Sequence, residues 1–139
     1  MTDPKILDAL NDHAPGFIKL LGGQLVDIDI EGRSCTFEFD VSTDFCHSVN
    51  VVQGGFITAM LDAAMSHAVF AVLGEGIVNV SSLEIKTSYL EPTYAGKQHA
   101  VGHIVKAAYK TAFLEAQLYN ADGLLTATAS SVAKIVRAK

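Results

Sequence analysis

The order of apolar and polar positions changes twice along this 139-residue chain. Between Val26 and Val41 the period is two. Val26, Ile28 and Ile30 alternate with Asp27, Asp29 and Glu31, and Cys35, Phe37, Phe39 and Val41 alternate with Thr36, Glu38 and Asp40. A strand sends successive side chains to opposite faces, so these runs predict a β-hairpin with one dry face, turning at Glu31-Gly32. Upstream, residues 1–21 predict two short helical segments, Pro4 to Asn11 and Phe17 to Leu21, parted by Pro15-Gly16.

Residues 54–73 break the alternation. Fourteen of the twenty are apolar, none is proline, and Gly74 is placed to end a helix. Its polar residues are Thr58, Asp62, Ser66 and His67, and the first three recur at i, i+4 and i+8 as one narrow stripe. A membrane span is disfavoured, because a carboxylate mid-segment costs roughly 2.5–3.5 kcal/mol in a bilayer. The segment predicts a helix buried almost all round.

Four strand-like runs follow. Leu83, Ile85, Thr87 and Tyr89 alternate with Glu84, Lys86 and Ser88 up to Glu91-Pro92. Residues 98–109 and 112–119 make two more, and Asp122-Gly123 turns the chain into Leu124 to Val136. In that last run Ala127, Ala129, Ser131 and Ala133 form a face of small side chains against which a helix could lie closely. Two strands, a buried helix and four strands predict one α+β domain over residues 1–139, a curved antiparallel sheet around a central helix.

Composition narrows the function. Half the residues are hydrophobic and 18% are charged, as in a globular protein. Two cysteines cannot make a disulfide framework, and Met1 to Asp12 has no secretory n-region or h-region, so a reducing, cytoplasmic setting is expected. The net charge of −5 argues against nonspecific nucleic-acid binding. It is unevenly spread: residues 1–96 hold thirteen acidic and four basic side chains, residues 97–139 two acidic and six basic. Solvated strand ends would explain that excess, and so would a site for a phosphorylated ligand, with Lys106, Lys110, Lys134 and Arg137 as candidates.

Asp62 is the most informative residue, because aspartate is almost never fully buried without a partner and desolvated carboxylates suit base chemistry. A structural aspartate paired to serine or threonine is the competing reading. Gly54-Gly55 stand at the N-terminus of the same helix, where the first N–H groups lack intrahelical acceptors and glycine admits a close carbonyl, as in an oxyanion hole. Alone, the pair would equally mark a tight strand-to-helix turn. Gly54 and Asp62 are eight residues apart, about 12 Å along a helix. If both act on one carbonyl, Asp62 must come from another subunit. His47 and Gln53 precede the helix and could orient a carbonyl or water, or simply bond within a loop. His99 and His103 share a strand face without a third ligand, so no metal site is expected. No G-x-S-x-G elbow or phosphate-binding G-x-x-x-x-G-K-[ST] loop is present.

The segment His47-Ser-Val-Asn-Val-Val-Gln-Gly-Gly-Phe-Ile-Thr-Ala-Met-Leu-Asp62 resembles the core of the PaaI-like branch of hotdog thioesterases. So do Ser82-Leu-Glu-Ile-Lys-Thr-Ser-Tyr-Leu-Glu-Pro92 and Asp122-Gly123-Leu-Leu-Thr-Ala-Thr-Ala. The likeness runs over roughly residues 20–136. It implies a hotdog fold, hydrolysis of acyl- or aryl-coenzyme A, and a homodimer or dimer of dimers with sites at the interface. No cofactor is expected, since coenzyme A is part of the substrate, and the charge and the carboxylate within the apolar segment leave no nucleic-acid or membrane partner expected. The likeness gives Asp62 the role of base or nucleophile, the Gly54 N–H that of carbonyl polariser, and Ser82 a place near Asp62 in the same subunit, positioning water. Gly55 joins the substrate-binding turn. Gln53 stands where the family often has histidine, and His47 where it often has Asn or Gln, which affects substrate choice. The Tyr109-Lys110 turn lacks the family's glycine. The competing functions are a non-catalytic acyl-CoA-binding module and a hotdog dehydratase or hydratase. The absence of an Asp-x4-Asn-Pro-x-His run weighs against the latter.

Overall fold

Glycine ends and proline punctuation give the chain its elements. In the computed structural model, which describes residues 3–139, α1 (Pro4–Asp12) and α2 (Gly16–Leu20) precede β1 (Gly23–Asp29) and β2 (Ser34–Val41). A short 3-10 turn leads into β3 (Cys46–His47) and β4 (Val51–Val52), then α3 (Gly54–Leu73). β5 (Ile77–Tyr89), β6 (Gly96–Ala107), β7 (Thr111–Asn120) and β8 (Leu125–Arg137) complete it. Six strands form one antiparallel sheet in the order β1-β2-β6-β7-β8-β5, and β3 and β4 pair separately.

α3 lies in the concave face of this sheet. It stops where Gly74 takes φ +73°, a left-handed conformation that costs glycine little. Its core-facing residues, among them Met60, Leu61, Ala64 and Met65, are fully buried against Phe37 and Phe39 of β2 and the small inner face of β8. Ala127, Ala129, Ser131 and Ala133 are all buried, as the alternation predicts. A particularly tight approach is made elsewhere, at Gly102 of β6, where a Cβ would overlap the Ala64 carbonyl. Cys35 beside it is a core residue: burial, helped by the charge of Asp27, pushes its thiol up to about 12. It therefore stays protonated and donates to that same carbonyl at 3.3 Å.

Three expectations are corrected. α3 is not buried all round: ten of its twenty residues are, while Thr58, Asp62 and Ser66 form a half-open flank beside β5. In β1 a bulge between Leu25 and Asp27 shifts the register, so Leu25 and Ile28 face the core and Ile30 is exposed rather than part of a dry face with Val26. In β5 a second bulge lies between Ser82 and Glu84. Strict alternation would turn Leu83 towards the helix with Ile85 and Thr87. The extra residue reverses the phase, leaving Leu83 65% exposed and bringing Ser82 onto the helix side.

β5 is the last strand of the sheet. It is bonded to β8 on one edge and to no strand on the other among the described residues, with Val78, Leu83 and Tyr89 exposed along it. The N-terminal helices close the opposite end. The Asn11 side chain clasps Leu25, accepting from its N–H at 2.8 Å and donating to its carbonyl at 3.0 Å, which fixes α1 against β1.

Candidate active site

The first turn of α3 is built around Gln53. Its backbone N–H donates to the Phe45 carbonyl at 2.9 Å, and its side-chain Oε1 caps the helix by accepting the Gly55 N–H at 2.8 Å. Phe56 and Ile57 donate back to the Gln53 carbonyl at 3.0 and 3.3 Å. The Gly54 N–H is left without an acceptor among the described residues, at the positive end of a 20-residue helix. Of the two glycines, Gly55 thus has its amide occupied and Gly54 does not. A cavity of about 390 Å³ opens beside Gly54, with His47 on its wall. The pairing of β3 with β4 places that histidine, whose Nδ1 lies 3.1 Å from the Ser48 hydroxyl.

Tyr89 is the residue sequence reasoning passed over. Its hydroxyl donates to the Gly54 carbonyl at 2.8 Å and lies 3.0 Å from Thr58 Oγ1, which is 2.8 Å from Thr87 Oγ1. This network ties the helix start to the end of β5. A Cβ at position 54 would stand 3.0 Å from the Tyr89 hydroxyl, a close contact that a shift of the tyrosine by a few tenths of an ångström relieves. The available signal was the shared phase of Thr87 and Tyr89 opposite a helix threonine.

Asp62 and Ser82 form a second group. The Ser82 hydroxyl donates to Asp62 Oδ1 at 2.6 Å, the short distance expected when the acceptor is ionised. Asp62 therefore has the hydroxyl partner that a structural reading also requires, but the pair sits at the open β5 edge rather than in the core. Asp62 borders another cavity, of about 350 Å³, between α3, the N-terminal helices and the start of β5. One chain thus presents its free amide and its carboxylate in separate cavities, about 12 Å apart along the helix.

The four basic candidates gather at one end of the sheet. Lys134 pairs in register with Thr111, Lys106 with Phe113, and the Lys110 carbonyl accepts from Ile135 at 2.8 Å. Arg137 donates from Nε to the Tyr109 carbonyl at 2.9 Å, and its guanidinium lies 4.7 Å from the Tyr109 ring centre. Arg137 is thus partly engaged, whereas the three lysines are exposed. Along β8 the buried residues alternate with Ser130, Lys134 and Val136, so Lys134 lies on the convex side, away from Asp62. His99 pairs with Glu38 at 3.3 Å, and the described residues contain no metal-ligand cluster.

A six-stranded antiparallel sheet curled around one long helix is the hotdog architecture, and here that helix carries a free N-terminal amide and a carboxylate. The chain belongs to the Thioesterase superfamily, whose family model matches residues 49–127, a stretch holding α3 and β5 entire. It is similar to the structure of a phenylacetic acid degradation-related protein from Ralstonia eutropha JMP134. That match has 28% identity and a TM-score of 0.83, over 93% of this chain and 98% of that one. Thioesterase HI1161 of Haemophilus influenzae shares the fold at TM-score 0.85 and 19% identity, over 99% and 93%. The Escherichia coli PaaI protein does so at TM-score 0.82 and 15% identity, over 95% and 91%. Family and fold together support thioester hydrolysis as the general chemistry.

Proposed function

We propose that the protein hydrolyses acyl- or aryl-coenzyme A thioesters at a site completed by two copies of the chain. The observation that carries this reading is the division of the site: an unpaired Gly54 N–H in one cavity, and the Asp62–Ser82 pair at an open strand edge beside another. Pairing two β5 edges about a twofold axis would satisfy a long row of exposed backbone groups and cover Leu83 and Val78. It would also bring the Asp62 of one copy towards the Gly54 of the other.

In such a site the thioester oxygen accepts from the Gly54 N–H, which stabilises the charge that grows there as the carbonyl is attacked. The Asp62 carboxylate either takes a proton from the water that attacks the carbonyl carbon, or attacks that carbon itself to give an anhydride that water then opens. In both routes the C–S bond breaks and coenzyme A leaves as its thiolate, which takes up a proton. Ser82 holds one carboxylate oxygen and leaves the other to react. His47 on the cavity wall and the Gln53 amide NH₂, next to Gly54 in the chain, serve as further donors. Thiol release from a panel of acyl- and aryl-CoA thioesters, followed with a thiol-trapping dye, tests the assignment. Absence of turnover across the panel by folded protein would count against it.

The basic end of the sheet is assigned to the nucleotide. Coenzyme A carries a 3′-phosphate and a diphosphate, and Lys106, Lys110, Lys134 and Arg137 form the positive counterpart in an acidic chain. Exposed charges are screened within about 8–10 Å at physiological salt, so each contributes modestly. Lys110→Ala and Lys134→Ala are expected to raise KM for a CoA thioester by a few-fold with little change in kcat, because the contact is remote from the breaking bond. A pantetheine thioester, lacking the nucleotide, should be unaffected. Equal losses on both substrates would make these lysines merely solvated.

A further inference from the structure

A glycine at the first helical position is an insecure mount for a reactive amide. Glycine has more backbone freedom than any other residue, and the first N–H groups of a helix have no intrahelical acceptors to hold them. Yet the Gly54 N–H lowers the barrier only if its direction is fixed before charge develops on the carbonyl. Its two flanking peptide units are held from several sides. In the unit before it, the Gln53 carbonyl accepts from Phe56 and Ile57 at 3.0 and 3.3 Å. In the unit after it, Gln53 Oε1 takes the Gly55 N–H at 2.8 Å, and the Tyr89 hydroxyl donates to the Gly54 carbonyl at 2.8 Å. Of these bonds, only the one from Tyr89 comes from the sheet.

The directions of donation around Tyr89 follow from counting protons. A carbonyl only accepts, so the single Tyr89 O–H is spent on Gly54. The tyrosine oxygen, 3.0 Å from Thr58 Oγ1, must then accept from that threonine. Thr58, with its own proton spent, accepts in turn from Thr87 at 2.8 Å. Three hydroxyls thus donate in one direction, Thr87 to Thr58 to Tyr89, and end on the Gly54 carbonyl. Bonds in such a row polarise one another. The two threonines are half-buried, whereas Tyr89 is 53% exposed on the wall of the Gly54 cavity. The threonines therefore hold in place a hydroxyl for which water would otherwise compete.

We propose that Tyr89 is a positioning residue for hydrolysis: it clamps the peptide unit between Gly54 and Gly55 so that the Gly54 N–H keeps its aim at the thioester oxygen. Thr58 and Thr87 set the direction of its hydroxyl. The proposal rests on the reading of Gly54 as the amide that polarises the carbonyl. In this role Tyr89 acts through Gly54 rather than on the thioester itself.

Tyr89→Phe tests it, since it deletes the hydroxyl and keeps the ring. On a thioester that wild-type protein hydrolyses, kcat is expected to fall about tenfold or more while KM changes by less than about twofold, as for a misaimed donor rather than a lost binding contact. Thr58→Val, close in shape but without the hydroxyl, should lose a smaller factor in kcat, and Thr58→Ser should keep the wild-type rate. Tyr89→Phe added to Gly54→Pro protein should cost nothing further, because the amide it positions is already gone. Unchanged kcat in Tyr89→Phe, or an equal loss in the Gly54→Pro background, would overturn the proposal and leave Tyr89 as a tie that merely stabilises the fold. Should Tyr89→Phe not fold, Thr58→Val and Thr58→Ser decide the matter by the same kcat criterion. Should wild-type protein hydrolyse no thioester, the function proposed above fails separately, and NMR relaxation of the backbone amides still reads the clamp. Gly54 and Gly55 should then have order parameters near the roughly 0.85 of rigid backbone in wild type, falling towards the roughly 0.6 of a flexible segment in Tyr89→Phe. Order parameters that do not change between the two proteins remove the clamp.

Discussion

Asp62→Asn is expected to fold normally and to lose at least about 10²-fold in kcat, the scale on which a positioned acid or base contributes. Asparagine has nearly the same shape and can still accept from the Ser82 hydroxyl through its own oxygen, so the 2.6 Å contact has a neutral replacement. Asp62 is half-open on the β5 flank rather than sealed in the core, so removing its charge leaves no buried partner stranded. What disappears is the ability to take a proton or to attack. Steady-state kinetics alongside circular dichroism checks this, and near-normal turnover by a folded variant would remove Asp62 from the chemistry.

Gly54→Pro should be similarly damaging for a different reason. Proline is well tolerated at the first position of a helix, where its missing N–H has no intrahelical partner in any case. Gln53, at φ −66° and ψ 138°, already has the extended conformation that a following proline requires. The substitution therefore deletes the one amide argued to polarise the carbonyl while preserving the helix start. The Tyr89 hydroxyl must yield by a few tenths of an ångström. Loss of one oxyanion donor typically costs about 10²–10³ in kcat. If Gly54→Pro retained wild-type turnover, the carbonyl would have to be held elsewhere.

How much of this was legible beforehand follows from how far each segment obeys a simple period. β2 does so without interruption, and Cys35, Phe37, Phe39 and Val41 are all buried. α3 was marked by its apolar density and by Gly74. β1 contains one bulge and β5 two, which no pattern of apolar positions announces, and the one between Ser82 and Glu84 is what turns Ser82 towards Asp62. Periodicity alone made Ser82 ordinary, and only the family resemblance singled it out. β3 and β4, at two residues each, are too short to carry a period, so the mounting of His47 was not visible. Tyr89 read as a strand aromatic, because its hydroxyl contacts depend on where β5 crosses α3. The Gly54–Asp62 spacing was legible in full, since helix rise converts residue number into distance.

That spacing gives the central claim, that one reaction centre takes its amide from one subunit and its carboxylate from the other. The direct measurement mixes Asp62→Asn and Gly54→Pro proteins, each nearly inactive alone, under conditions in which subunits exchange. In a twofold dimer re-formed at random, half the dimers are mixed and each contains one intact site of two, so activity should recover to about a quarter of wild type. If mixing restores nothing although mass spectrometry shows the mixed dimers, or if wild-type monomer proves active at assay concentration, the shared site is contradicted.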